Sequence, residues 1–175
     1  MELALLGLRV VVGLGFAAHG AQKLFGIFGG YGIAGTAGFF DQIGLRPGKV
    51  HAWGAGLAEL GGGLAIALGL LTPFAAAALI GVMTAAVLTV HLRNGFFVAE
   101  NGFEYNLVLV AALFALAGIG AGEWSLDAVL NLDLNGAGWA LAALAAGLGG
   151  GMAAVAAGRR VPAQPAVGEG EAHPA

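Results

Sequence analysis

The chain has no cysteine, little charge and no run of basic residues. The first absence excludes disulfides, iron–sulfur clusters, thiolate metal sites and dithiol redox chemistry carried by this chain. The second bears on the solvent. Of 175 residues, 10% are charged and 59% apolar, against roughly 25% charged and about 45–50% apolar in soluble domains. So little charge cannot cover a water-exposed surface, and membrane lipid is the expected partner. A net charge of −3 without a basic cluster argues against nucleic acid. Nucleophile elbow, P-loop and dinucleotide fingerprint are also missing. The chain starts Met1-Glu2 without a positive n-region, and Arg9 lies inside the first apolar stretch. That stretch therefore reads as a retained span, not a cleaved signal.

What is present is long and apolar. A helix needs about 20 apolar residues to cross a membrane core roughly 30 Å thick. The first candidate runs from about Leu3 to Phe25, interrupted by Arg9, His19 and Lys23. A glycine-rich stretch follows, in which Thr36 to Leu45 suits a short interfacial helix with Phe39 and Phe40 facing lipid. From Ala52 to Leu92 the only formal charge is Glu59. That length suits two spans broken at Thr72-Pro73, threonine as N-cap and proline in the first turn. They are expected over about Ala52–Leu71 and Pro73–Leu92, and a fourth over about Phe103–Ala121. The segment EWSLDAVLNLDLN follows; its Trp124 suits an interface, and its three acids predict that it stays out of the core. A stretch of alanine and glycine from about Gly136 to Ala157 suits a fifth span, with Gly147-x-x-x-Gly151 available for close packing. The expected fold is all-α: a polytopic four-helix membrane bundle over residues 1–130, an added helix over 131–158 and a disordered cytoplasmic tail over 159–175.

Lysine and arginine in loops set orientation. With five spans, Lys23, Arg46, Lys49, Arg93, Arg159 and Arg160 fall on one side and only Arg9 is left over. This predicts an N-terminus outside and a C-terminus in the cytoplasm.

Chemistry is sought among the ionisable residues inside spans. Each costs about 2.5–3.5 kcal/mol at mid-membrane and persists mainly where it pairs or lines a cavity. Arg9, His19 and Lys23 share a helical face. Arg9 can reach toward Glu59, either as a structural bridge or to hold Glu59 ionised for ligand or proton work. His19, Lys23, Glu59, His91, Glu104, Tyr105 and Asn106 all come toward one end of the bundle. Plainer readings stand beside these. Lys23 and Arg93 fit snorkelling residues. Glu104 at a helix start and His91 at a helix end fit the macrodipole. His19 and His91 sit on different helices, as a haem would require.

In sequence order the motifs are Arg9 with His19-Gly20-Ala21-Gln22-Lys23-Leu24-Phe25-Gly26, Gly56-Leu57-Ala58-Glu59-Leu60-Gly61-Gly62-Gly63, Leu68-Gly69-Leu70-Leu71-Thr72, His91 with Asn94-Gly95-Phe96-Phe97, Glu104, and Trp124-Ser125-Leu126-Asp127. Over residues 3–130 this resembles the DoxX family of small bacterial membrane proteins. The resemblance implies a four-helix bundle and links to quinone-dependent respiratory oxidation and oxidative-stress complexes; the stretch after Gly136 departs from it. The expected function is a membrane subunit of a quinone-linked oxidoreductase, with Glu59, His19 and His91 in the catalytic role. Arg9, Lys23, Glu104 and Tyr105 are the expected ligand-binding residues, and no metal site is expected. Quinone is the expected cofactor. Without cysteine or a cofactor fingerprint, electrons must come from a soluble or membrane redox partner, and a homo-oligomer is compatible. A proton-coupled transporter and an assembly partner without a site are the alternatives.

Overall fold

The computed structural model describes residues 1–160. Five long helices form the body: α1 (Glu2–Phe25), α3 (Gly48–Leu68), α4 (Thr72–Ala86), α5 (Glu104–Ile119) and α7 (Ala137–Arg159). Two shorter helices, α2 (Gly32–Gln42) and α6 (Leu126–Val129), lie between them. α4 runs on through a π-helical turn at Val87–His91 and a 3-10 turn at Leu92–Asn94. The fifth helix expected from the alanine-rich stretch is present. The interfacial helix starts four residues before its expected Thr36, and the second span starts at Gly48 instead of Ala52. The disordered-tail expectation lies outside the described residues, apart from Arg159, which ends α7, and Arg160.

Among the described residues, three helices are long and apolar enough to cross a membrane: Glu2–Phe25, Thr72–Asn94 and Ala137–Arg159. α5 is apolar but shorter, 16 residues, or about 24 Å at the helical rise. α3 has 21 residues, but Lys49, His51, Glu59 and six glycines dilute it. Together they make a helical membrane bundle.

In lipid, helices associate by close packing more than by expelling water, and small residues allow it. α1 and α3 run antiparallel. A Cβ on Gly13 would stand 2.5 Å from the Gly63 carbonyl and the Ala67 nitrogen, and one on Gly63 equally close to Gly13 and Ala17. Gly20 faces Gly56 and Leu60 in the same way. α4 and α7 run parallel. Gly147 faces Ala77 and Ile80, Gly151 faces Gly81 and Thr84, and Phe74 meets Trp139 edge-on at 5.4 Å. The Gly147–Gly151 pair therefore packs against α4, so α7 is an integral wall of the bundle.

The apolar core is concentrated where α3 ends and α4 begins. Ile66, Leu79, Ile80, Leu113 and Leu116 are fully buried there, with Phe16 and Met83 beside them. The opposite end holds the α1 C-terminus, α2, and the starts of α3 and α5. That end carries Lys23, Arg46, Lys49, Arg93, Arg159 and Arg160, leaving only Arg9 for the other.

Candidate functional site

The two ends use polar residues differently. At the closed end Arg9 is 1% exposed. Its Nη1 donates to the Ala121 carbonyl and its Nη2 to the Trp124 carbonyl at 2.6 Å. Asp127 is buried as well, while Trp124, Val129 and Leu130 of the same segment are exposed. Its carboxylate accepts from the Leu71 amide at 2.7 Å, the Thr72 amide at 3.1 Å and the Thr72 hydroxyl at 2.8 Å. Thr72 is thus not the N-cap expected of it. A side chain from α6 takes up the free N–H groups that every helix start leaves. Ser125 caps α6 in turn, accepting from the Ala128 amide at 3.1 Å, and Glu2 accepts from the Glu123 amide at 2.8 Å.

The expected Arg9–Glu59 pair does not form. The α1–α3 register sets Arg9 beside Gly69 and His19 beside Glu59. Arg9 and Glu59 are therefore separated by about 15 Å along the helix axes. Glu59, 3% exposed, pairs with Lys23 through Oε2. One further turn of α1 brings Lys23 within reach, because its long flexible stem spans the difference.

At this end the helices part around a cavity of about 960 Å³. α1, α2, α3, α4, α5 and α7 all contribute to its wall. The wall is mostly apolar, from residues such as Val12, Phe16, Phe40, Val82 and Leu109. His19, Lys23, Glu59, His91 and Tyr105 all line it, whereas Arg9 and Glu104 do not. Glu104 instead accepts from the Val98 amide at 2.9 Å and ties down the loop before α5. Phe39 and Phe40, expected to face lipid, stand at the cavity wall. Among the polar lining residues, His51 and Thr89 escaped the sequence reading, and Asn106, placed at this end, was given no role. His51 lies in the first turn of α3 and was left out because that helix was expected to begin one residue later. Asn106 is buried, with its Nδ2 donating to Met83 Sδ at 3.4 Å.

The polar lining is layered by depth. His19, Lys23, Glu59 and Asn106 occupy the inner level. Gly62 packs beside Ala75 and Leu79, which sets Glu59 roughly opposite Ile80 and leaves His91 about 15 Å nearer the mouth. The π-helical turn carries His91 and Thr89 on the cavity wall; such turns are frequent at functional sites. His91 Nδ1 donates to the Asn101 carbonyl at 2.8 Å, which leaves Nε2 as an acceptor in the neutral ring. Such an arrangement can bind an apolar molecule with a polar head and pass protons between that head and the mouth.

The DoxX family model matches residues 4–92, from α1 to the end of α4. A Bacillus subtilis protein described as "Putative oxidoreductase CatD" is 32% identical over 117 residues, 67% of this chain and 81% of its own length. An uncharacterised membrane protein of Mycobacterium tuberculosis is 32% identical over 134 residues, 71% of this chain and 79% of its own. An uncharacterised Haemophilus influenzae protein is 35% identical over 63 residues, 36% of this chain and 42% of its own. No solved structure matches.

Proposed function

Because the chain belongs to the DoxX family, we propose that it is an integral membrane subunit of a quinone-linked oxidoreductase, with the quinone in the cavity between α1, α3, α4 and α5. The observation that carries this reading is a charged pair, the buried Glu59 with the partly buried Lys23, on the wall of a mostly apolar cavity of about 960 Å³. Such a volume lies within the usual range for small-molecule sites, about 300–1,000 Å³ with a few placed polar groups. An isoprenoid quinone has this division, a polar ring and a hydrocarbon tail. The described name of the Bacillus relative supports redox work.

In this reading Glu59 and His19 hold the ring and exchange its protons, and His91 carries protons to the mouth. Reduction of a quinone to its quinol takes two electrons and two protons. A partner delivers the electrons, since this chain has no cysteine. The six cations at the cavity end favour the cytoplasmic side for it, in a bacterial inner membrane with the N-terminus outside.

The test is quinone turnover in membranes expressing the chain with its natural partners, alongside the quinone content of purified protein. Glu59→Gln keeps the side-chain volume and should abolish both. His19→Ala and His91→Ala should each reduce turnover. Phe74→Ala, at the closed end, should not. If wild-type protein neither retains nor turns over quinone, the redox reading fails.

A further inference from the structure

Beside the Lys23 ammonium, the cavity wall carries hydrogen-bond acceptors that no donor among the described residues takes up. Lys23 takes Oε2 of Glu59, and among the described residues Oε1 accepts no hydrogen bond, although the side chain is 3% exposed. Gln22 donates through Nε2 to the Phe28 carbonyl at 2.8 Å, so its Oε1 is an acceptor. The His19 Nδ1 that lies 3.1 Å from that Oε1 must therefore donate, which leaves Nε2 of the neutral ring as an acceptor. Asn106 directs its amide nitrogen at Met83 Sδ, so its Oδ1 is unpaired among the described residues, in a side chain that is 6% exposed. All three residues line the cavity, and the α1–α3 register sets His19 level with Glu59.

An acceptor on the wall of a largely apolar cavity gains from a ligand that donates to it. At the closed end the carboxylate of Asp127 is matched, since all three groups that it binds are donors. Acceptors left open on a cavity wall ask for a ligand that donates. A quinone ring offers two carbonyl oxygens and no donor. Its reduced form offers two hydroxyls. We propose that the site selects the hydroquinone form of its ligand, with one hydroxyl donating to Glu59 Oε1 and the other to His19 Nε2 or Asn106 Oδ1. This rests on the quinone-class reading above and adds which oxidation state the site holds.

The experiment measures equilibrium binding to the purified full chain in lipid nanodiscs, without oxygen. The probes are trimethylhydroquinone, trimethylbenzoquinone and the dimethyl ether of the hydroquinone, which keeps the ring and loses both donors. The hydroquinone should bind about tenfold or more tightly than either of the others, as expected for hydrogen bonds to a charged and a neutral acceptor in a buried site. Glu59→Gln, which replaces a charged acceptor with a neutral amide, should narrow the gap by weakening the hydroquinone and leaving the weaker binding of the quinone unchanged. A general loss of packing would weaken both. Asn106→Leu should narrow it without touching the ion pair. Equal or tighter binding of the quinone, or of the ether, overturns the proposal while leaving a ring-binding cavity in place. Binding of none of the three overturns the quinone-class reading along with it.

Discussion

The closed end and the cavity end contain similar ingredients, a cation, a buried carboxylate and helix termini, yet they use them in opposite ways. At the closed end the polar groups are directed at backbone: Arg9 at two carbonyls, Asp127 at two amides and a hydroxyl, Ser125 at an amide. These bonds stitch the α5–α6 turn to α1 and α4. At the cavity end the carboxylate meets a side chain, Lys23, and free acceptors remain on Glu59, His19 and Asn106. A buried charge is therefore not in itself a mark of function. What separates the two ends is whether the bonding capacity of the carboxylate is already spent.

The sharpest way to break this comparison is to remove the closed-end carboxylate. Asp127→Ala strands two amides and a hydroxyl at the buried start of α4, and an unsatisfied buried donor costs about 1–3 kcal/mol. A loss of about 3 kcal/mol is expected in detergent unfolding. Arg9→Leu should be comparably damaging, and its effect should add to that of Glu59→Leu, since about 15 Å separates the residues. Rescue in the double variant would restore the pair that the register forbids.

Glycines sharpen the contrast at a smaller scale. Gly13→Ala and Gly63→Ala force a Cβ to 2.5 Å from backbone on the facing helix, and such overpacking costs about 1–3 kcal/mol. Gly54 and Gly150 line the cavity, and a Cβ there meets nothing within 4 Å. Alanine at either position should be neutral or stabilise by about 0.5–1 kcal/mol, since glycine is a poor helix former. Thermal unfolding of the four variants separates packing glycines from cavity glycines.

Glu59→Gln should have the smallest effect on stability, about 1 kcal/mol or less, because Lys23 is one-quarter exposed and can regain water. Its effect belongs to ligand binding. Orientation can be read without disturbing stability, because the chain has no cysteine of its own. Single cysteines at Gly95 and Asp133 should label oppositely with an impermeant thiol reagent in intact cells, with only the closed-end site at 133 reacting. Labelling at 95 instead would invert the proposed topology.

The helices were legible because their signals are local: apolar length, the Thr72-Pro73 break, and the alanine-rich run that became α7. The gathering of His19, Lys23, Glu59 and His91 at one end followed from depth along each span. Partner choice did not, because it depends on register. Arg9 and Glu59 are complementary charges on adjacent helices, and only the facing glycines, Gly13 with Gly63 and Gly20 with Gly56, set them apart and bring Lys23 into place. The role of Asp127 is not legible in the sequence, because its three-dimensional partner, the start of α4, lies 55 residues away. His51 was missed through the start of one helix, the least reliable part of any helix boundary.

The central claim is that the cavity end, with its unspent acceptors, holds a quinone-class ligand and the closed end only holds the fold. The most direct test is the quinone content of protein purified gently from its native membrane, measured for wild type, Glu59→Gln and Glu104→Gln. The expected result is stoichiometric quinone in wild type and in Glu104→Gln, whose carboxylate lies outside the cavity wall, with loss in Glu59→Gln despite a normal unfolding midpoint. Quinone no higher in wild type than in Glu59→Gln would contradict it.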